Sequence, residues 1–169
     1  AGIRPGSRVA RSGRRVTTIR QATGDISVEL FSKGLGLLLE ACMGAGASTM
    51  VSTGLYQQVF TLADDLPSHT IQHGIPNADG TINPVTWKGC VVSGFEIGGA
   101  VGDIGTLKST WDVRDWDTSV AYATPSYPSG GQLFTVEKAT IFTGALTAPT
   151  TTALATMPTP VAGVKDFKL

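Results

Sequence analysis

Hydrophobic and polar positions alternate with period two along two neighbouring stretches, Thr86 to Ile97 and Ile104 to Asp115, separated by the glycine-rich run Gly98 to Asp103. In the outgoing stretch Trp87, Val91, Phe95 and Ile97 fall on one side, and Thr86, Lys88, Cys90 and Glu96 on the other. In the returning stretch Leu107, Trp111 and Val113 oppose Thr106, Lys108, Thr110, Asp112 and Arg114. Successive side chains of a strand point to opposite faces, so this pattern predicts a long antiparallel hairpin over 86–115 with one apolar and one wet face. Arms of twelve residues, at about 3.3 Å each, reach roughly 40 Å. A hairpin is marginal alone in water, so its apolar face requires a cover.

The cover is expected from a helix. Asp25 to Phe31 alternates as a strand, and Ser32 then fits a helix N-cap, with Lys33 to Met43 following and Gly44 as the stop. Leu35, Leu38, Leu39 and Cys42 recur at helical spacing and form an apolar stripe that suits the hairpin. Gly44 to Thr53 is small and polar and reads as a loop, Tyr56 to Leu62 as a strand, and Ser68 to Ile75 as another. Beyond the hairpin come a Tyr/Pro/Ser loop and a strand from Gln132 to Thr143, with a kink near Lys138-Ala139. Four segments result: an arm over 1–24, a β domain over 25–144, a Thr/Ala/Pro-rich loop or linker over 145–163, and the start of a further strand over 164–169. One helix among many strands predicts a mainly-β sandwich or open barrel with a flanking helix.

Composition changes this picture in one place. Formal net charge is zero, but Arg4, Arg8, Arg11, Arg14, Arg15 and Arg20 precede the first acid, Asp25. The chain is therefore a basic arm on an acidic body. The arm reads either as an extended segment that packs on something else or as a disordered basic leader, and Val16 to Ile19 suits a strand. Cys42 and Cys90 lack metal-ligand spacing and read as buried free thiols. No hydrophobic run approaches the ~20 residues that span a bilayer, so no membrane is expected.

Candidate chemistry does not survive inspection. His69 and His73 are four apart on a strand pattern, about 13 Å from one another, too far to share an ion. Asn77 to Gly80 resembles half a calcium loop, yet Ile75 and Thr86 stand where ligands belong. Gly98 to Gly105 lacks the Gly-Lys-Ser/Thr ending of a phosphate loop. Asp112 and Asp115 fall on opposite faces of a continuing strand, and no nucleophile–base set has local support. Neither catalysis nor a cofactor or metal is expected.

The order of parts, Thr23 to Phe31, then Lys33-Gly34-Leu35-Gly36-Leu37-Leu38-Leu39-Glu40, then Trp87 to Glu96, then Asp112-Val113-Arg114-Asp115, resembles the tail tube (major tail) proteins of long-tailed, siphovirus-type bacteriophages, particularly those of actinobacterial hosts. Thr124 to Pro128 before Leu133-Phe134 also looks familial. The resemblance covers nearly the whole chain. Family members continue past both ends of this stretch and the chain opens at Ala1, so a processed or truncated chain is expected.

The resemblance implies a virion protein of the tail tube, assembled in the host cytoplasm. Six copies would form a ring, their hairpins joining into one β-barrel, and rings would stack into a tube that double-stranded DNA crosses during ejection. Lys88, Glu96, Thr106, Lys108, Thr110, Asp112 and Arg114 would face the lumen. Trp87, Val91, Phe95, Leu107, Trp111, Val113, Leu35, Leu38 and Leu39 would face the core. Arg4, Arg8, Arg11, Arg14 and Arg15 would reach a neighbouring ring. Further partners would be the tape-measure and terminator proteins. The alternatives are a monomeric β-barrel that binds a small ligand, and a nucleic-acid-binding protein that uses the basic arm.

Overall fold

Nineteen consecutive residues, Ile82–Ala100, form one strand around which the described chain is built. The computed structural model describes residues 19–150 and 153–169. In chain order the elements are β1 (Ala22–Glu29), α1 (Gly36–Met43), β2 (Gly44–Ser52), β3 (Leu55–Leu62), β4 (His69–Pro76), β5 (Ile82–Ala100), β6 (Thr106–Asp117), β7 (Phe142–Thr143), β8 (Thr159–Pro160) and β9 (Asp166–Lys168). The main sheet runs β1-β6-β5-β4, with β9 added beside the far end of β5. The ribbons β2-β3 and β7-β8 are separate. Among the described residues the architecture is thus mainly β with one helix and several sheets, none closed into a barrel, consistent with a β-sandwich.

β6 keeps strict alternation. Leu107, Ser109, Trp111 and Val113 are buried, while Thr106, Lys108, Asp112 and Arg114 are exposed. β5 does not. Its register against β6 shifts by one residue between Val92 and Gly94, and its register against β4 shifts between Cys90 and Trp87, where Gly89 takes φ +63°. Each slip moves the apolar set to the other face. Trp87 packs against the core below the first slip, Cys90 and Val92 are buried between the slips, and Ile97 lies opposite buried Leu107 beyond the second. Two slips cancel, so uninterrupted alternation places the ends of β5 properly and inverts its middle. Val91, expected in the core, is half-buried opposite Asp112, and Cys90 takes the core position instead.

The helix starts three residues later than its pattern predicts, with Leu35 as N-cap and no side-chain capping bond. Ser32 is engaged elsewhere: its hydroxyl accepts the Gln132 N–H at 2.9 Å, and its own N–H donates to the Gln132 carbonyl. The late start changes which residues meet the sheet. Leu38, Ala41 and Cys42, at helical spacing, pack with Cys90, Val92, Trp111 and Val113. Leu35 and Leu39 stay half-buried outside that cluster, and Phe95, although opposite buried Ser109, is 36% exposed.

Two segments depart from their patterns. Gly44 to Thr53, expected as a loop, is mostly strand β2, because β3 supplies a ladder, bulged only between Met50 and Ser52, that its small polar side chains do not advertise. Gln132 to Thr143, expected as a strand with a kink near Lys138-Ala139, makes isolated bridges from Leu133 to Phe31 and from Thr135 to Ile104, then a 3₁₀ turn at Val136–Lys138, and is strand again only at β7. That turn drives buried Val136 onto Gly99, where an added Cβ would lie 2.5 Å from the valine side chain.

Candidate assembly surface of the long hairpin

The polar face of β6 is continued sideways by its neighbours. Glu96 of β5 lies directly opposite Lys108, and Asp25 of β1 lies opposite Thr110. Lys108 pairs with Asp25 at 3.0 Å, and Glu96 pairs with Lys168 of β9 at 2.7 Å. Four strands therefore carry a row of alternating charge, Lys168, Glu96, Lys108 and Asp25. At the base of the hairpin Lys88 bonds Asp117 at 2.8 Å and Arg20 bonds Asp115 at 3.4 Å. Arg20 also lies over the Trp116 ring, 5.5 Å from its centroid. Exposed pairs of this kind add little to stability. Their larger effect is to leave the face close to neutral, with carboxylates matched to lysines.

The carboxylates register those partners. The Thr110 hydroxyl, then Lys108, holds Asp25 below the usual carboxylate range. Asp115 is lowered by the backbone N–H of Trp116 and then by Arg20. Asp117 is lowered furthest, by Lys88 and by the backbone and hydroxyl of Ser119.

Glu96, Thr106, Lys108, Thr110 and Asp112 thus come together around β6, joined by Arg114, whose side chain lies over Gly89. Lys88 sits apart, beyond the Gly89 slip. Sequence alternation did not signal Asp25, Asp115, Asp117, Arg20 or Lys168 as partners, since their pairing depends on register between distant strands. The expected arm residues Arg4, Arg8, Arg11, Arg14 and Arg15 lie outside the described residues.

Behind the sheet, the edge strands β1 and β4 line a groove with a cavity volume of about 540 Å³, walled by Trp87, Trp111, Ile26 and Ile71. His69 meets Trp111 edge-on at 5.9 Å between centroids, and His73 lines the groove. Gln72, beside the groove, ties down the segment after β6. Its amide donates to Thr86 Oγ1 and to the Ala121 carbonyl, and accepts the Ala123 N–H. Among the described residues no group of His, Cys, Asp and Glu is placed to hold a metal, and no helix is long and apolar enough to cross a membrane. Cys42 and Cys90 are free and buried in one cluster, and burial pushes both thiols up.

The model of one protein family, described as phage tail tube protein, matches residues 3–169. Neither a curated protein nor a solved structure matches the chain.

Proposed function

Because this chain belongs to the phage tail tube protein family, we propose that it forms stacked six-membered rings through which DNA leaves the virion. Membership makes it a structural component of the phage tail that assembles with itself and with other tail proteins. The proposal adds a long-tailed, siphovirus-type tail, assembly in the host cytoplasm, and tape-measure and terminator proteins as partners.

One observation carries the reading: a polar-faced sheet that ends in two edge strands, β1 and β4, with no further strand beside either among the described residues. Exposed edges invite pairing with another chain, and closure into a barrel removes them. Joining β1 of one copy to β4 of the next continues the sheet around a ring. Lys88, Glu96, Thr106, Lys108, Thr110, Asp112 and Arg114 then line the lumen. The pairing of Lys88 and Lys108 with carboxylates supports transit over capture, because unmatched cations would hold DNA through many phosphate contacts. The arm ahead of β1, with Arg4, Arg8, Arg11, Arg14 and Arg15, reaches acidic surface on the adjacent ring. The long hairpin supplies the wall, and no step of chemistry is required of the chain.

Sedimentation velocity and negative-stain imaging over a concentration series test this. Rings and tubes of constant diameter are the expected result. Compact monomers at high concentration contradict it and favour a ligand-binding module. Tight, steeply salt-dependent DNA binding that vanishes when 1–18 is deleted, without tubes, favours the nucleic-acid reading.

A further inference from the structure

The β2-β3 ribbon stands outside the main sheet. Its strands pair with no other strand among the described residues, and it rests on α1. Met50, Leu55, Tyr56, Val59 and Leu62 are exposed along it, Leu55 and Tyr56 by 58% and 60%. From Ala41 to Ala63 the sequence contains no Asp, Glu, Lys, Arg or Pro. Strand edges that stay unpaired are usually guarded by charge or proline. This ribbon has neither guard, and an exposed apolar surface of this kind marks an interaction site.

The same chain carries a matching recess. The groove between β1 and β4 has Trp87 and Trp111 in its wall. Gly24 stands opposite Trp111 in the β1–β6 register, and a Cβ there would meet nothing within 4 Å. The missing side chain leaves a slot beside the indole. Of the residues lining the groove only Asp25 is formally charged, and it is occupied by Lys108 and Thr110. An uncharged ribbon and a recess without unmatched charge suit one another, since neither leaves an ion stripped of water without a partner.

We propose that the ribbon tip of one copy, Met50 to Tyr56, seats in the β1–β4 groove of the adjacent copy. The proposal rests on the tube reading, because self-assembly is what makes a second copy the occupant. The contact is heterologous, tip to groove, so repeating it closes a ring when the rotation between copies permits.

Two variants separate the halves of the contact. Leu55→Asp charges an exposed tip residue, and Gly24→Phe fills the slot from a position where added atoms meet open space; Met50→Lys and Gly24→Leu serve if either fails to fold. Each variant alone should keep its far-UV circular dichroism, sediment as a monomer and lose rings and tubes. An equimolar mixture should form heterodimers, since the intact tip of Gly24→Phe fits the intact groove of Leu55→Asp. Tubes from either variant, or a mixture that stays monomeric, would overturn the seat. Tubes would leave the tube reading standing, whereas wild-type protein that never assembles removes both. Normal tubes from Leu55→Asp, with assembly lost on deleting 1–18, would assign the groove to the arm and overturn the proposal.

Discussion

The indole N–H of Trp111 donates to the hydroxyl of Ser109 at 2.9 Å, two residues back on the same face of β6. That hydroxyl in turn donates to the Ile26 carbonyl of β1 at 3.3 Å. Ser109 is fully buried, so no water is at hand to replace it. Ser109→Ala leaves the indole N–H without its acceptor and should cost about 1–3 kcal/mol. Urea unfolding of the monomer measures this, and a change below roughly 0.5 kcal/mol, the usual span of neutral surface substitutions, would contradict it.

Gly99 is a second point of contact where size decides. Gly99→Ala brings a methyl group against Val136 and close to the Gly105 backbone. Overpacking of this kind costs about 1–3 kcal/mol. Val136→Ala removes the obstructing methyls, so the double variant should be more stable than the two single losses predict when added together. Strict additivity in a double-mutant cycle would show that Val136 is not the obstacle.

Acid should weaken the ion pairs of the polar face. Asp25, Asp115 and Asp117 all have folded-state values below their unfolded ones. Their contribution is fully present above the unfolded carboxylate value, ~3.9, and is lost as pH falls through the lowered folded values. Urea midpoints should be flat with respect to these groups above about pH 5 and decline below about pH 4. Asp117→Asn should make that decline shallower. An identical acid slope in the variant would remove Asp117 from the account.

Cys42 and Cys90 should resist chemistry while the domain is folded. Both are buried and their thiols are shifted upward by burial, which suppresses the reactive thiolate. A disulfide reagent at pH 8 should label neither in native protein and both in denaturant. Rapid stoichiometric labelling of the native form would contradict the packing of α1 on β5.

What was legible in the sequence followed local regularity. β6 could be read outright because its alternation is unbroken from Leu107 to Val113. β5 could not, since Gly89 and the step at Val92 to Gly94 each shift phase, and a bulge has no side-chain period of its own. The start of α1 was misplaced because Ser32, a good cap by type, serves Gln132 a hundred residues on. β2 was hidden because its strand character comes from β3 and not from β-branched residues. The ion pairs of the polar face depend on which strands lie side by side, and no local pattern encodes that. The groove is a product of the same long-range arrangement.

The central claim is that the sheet finds its completion in sister copies. A helical reconstruction of assembled protein tests it most directly. The expected result is β1 of one copy hydrogen-bonded to β4 of the next around a continuous wall, with Glu96, Lys108 and Asp112 turned toward the channel. A tube whose wall leaves those strands unbonded between copies, or turns Leu107 and Trp111 toward the channel, would contradict it.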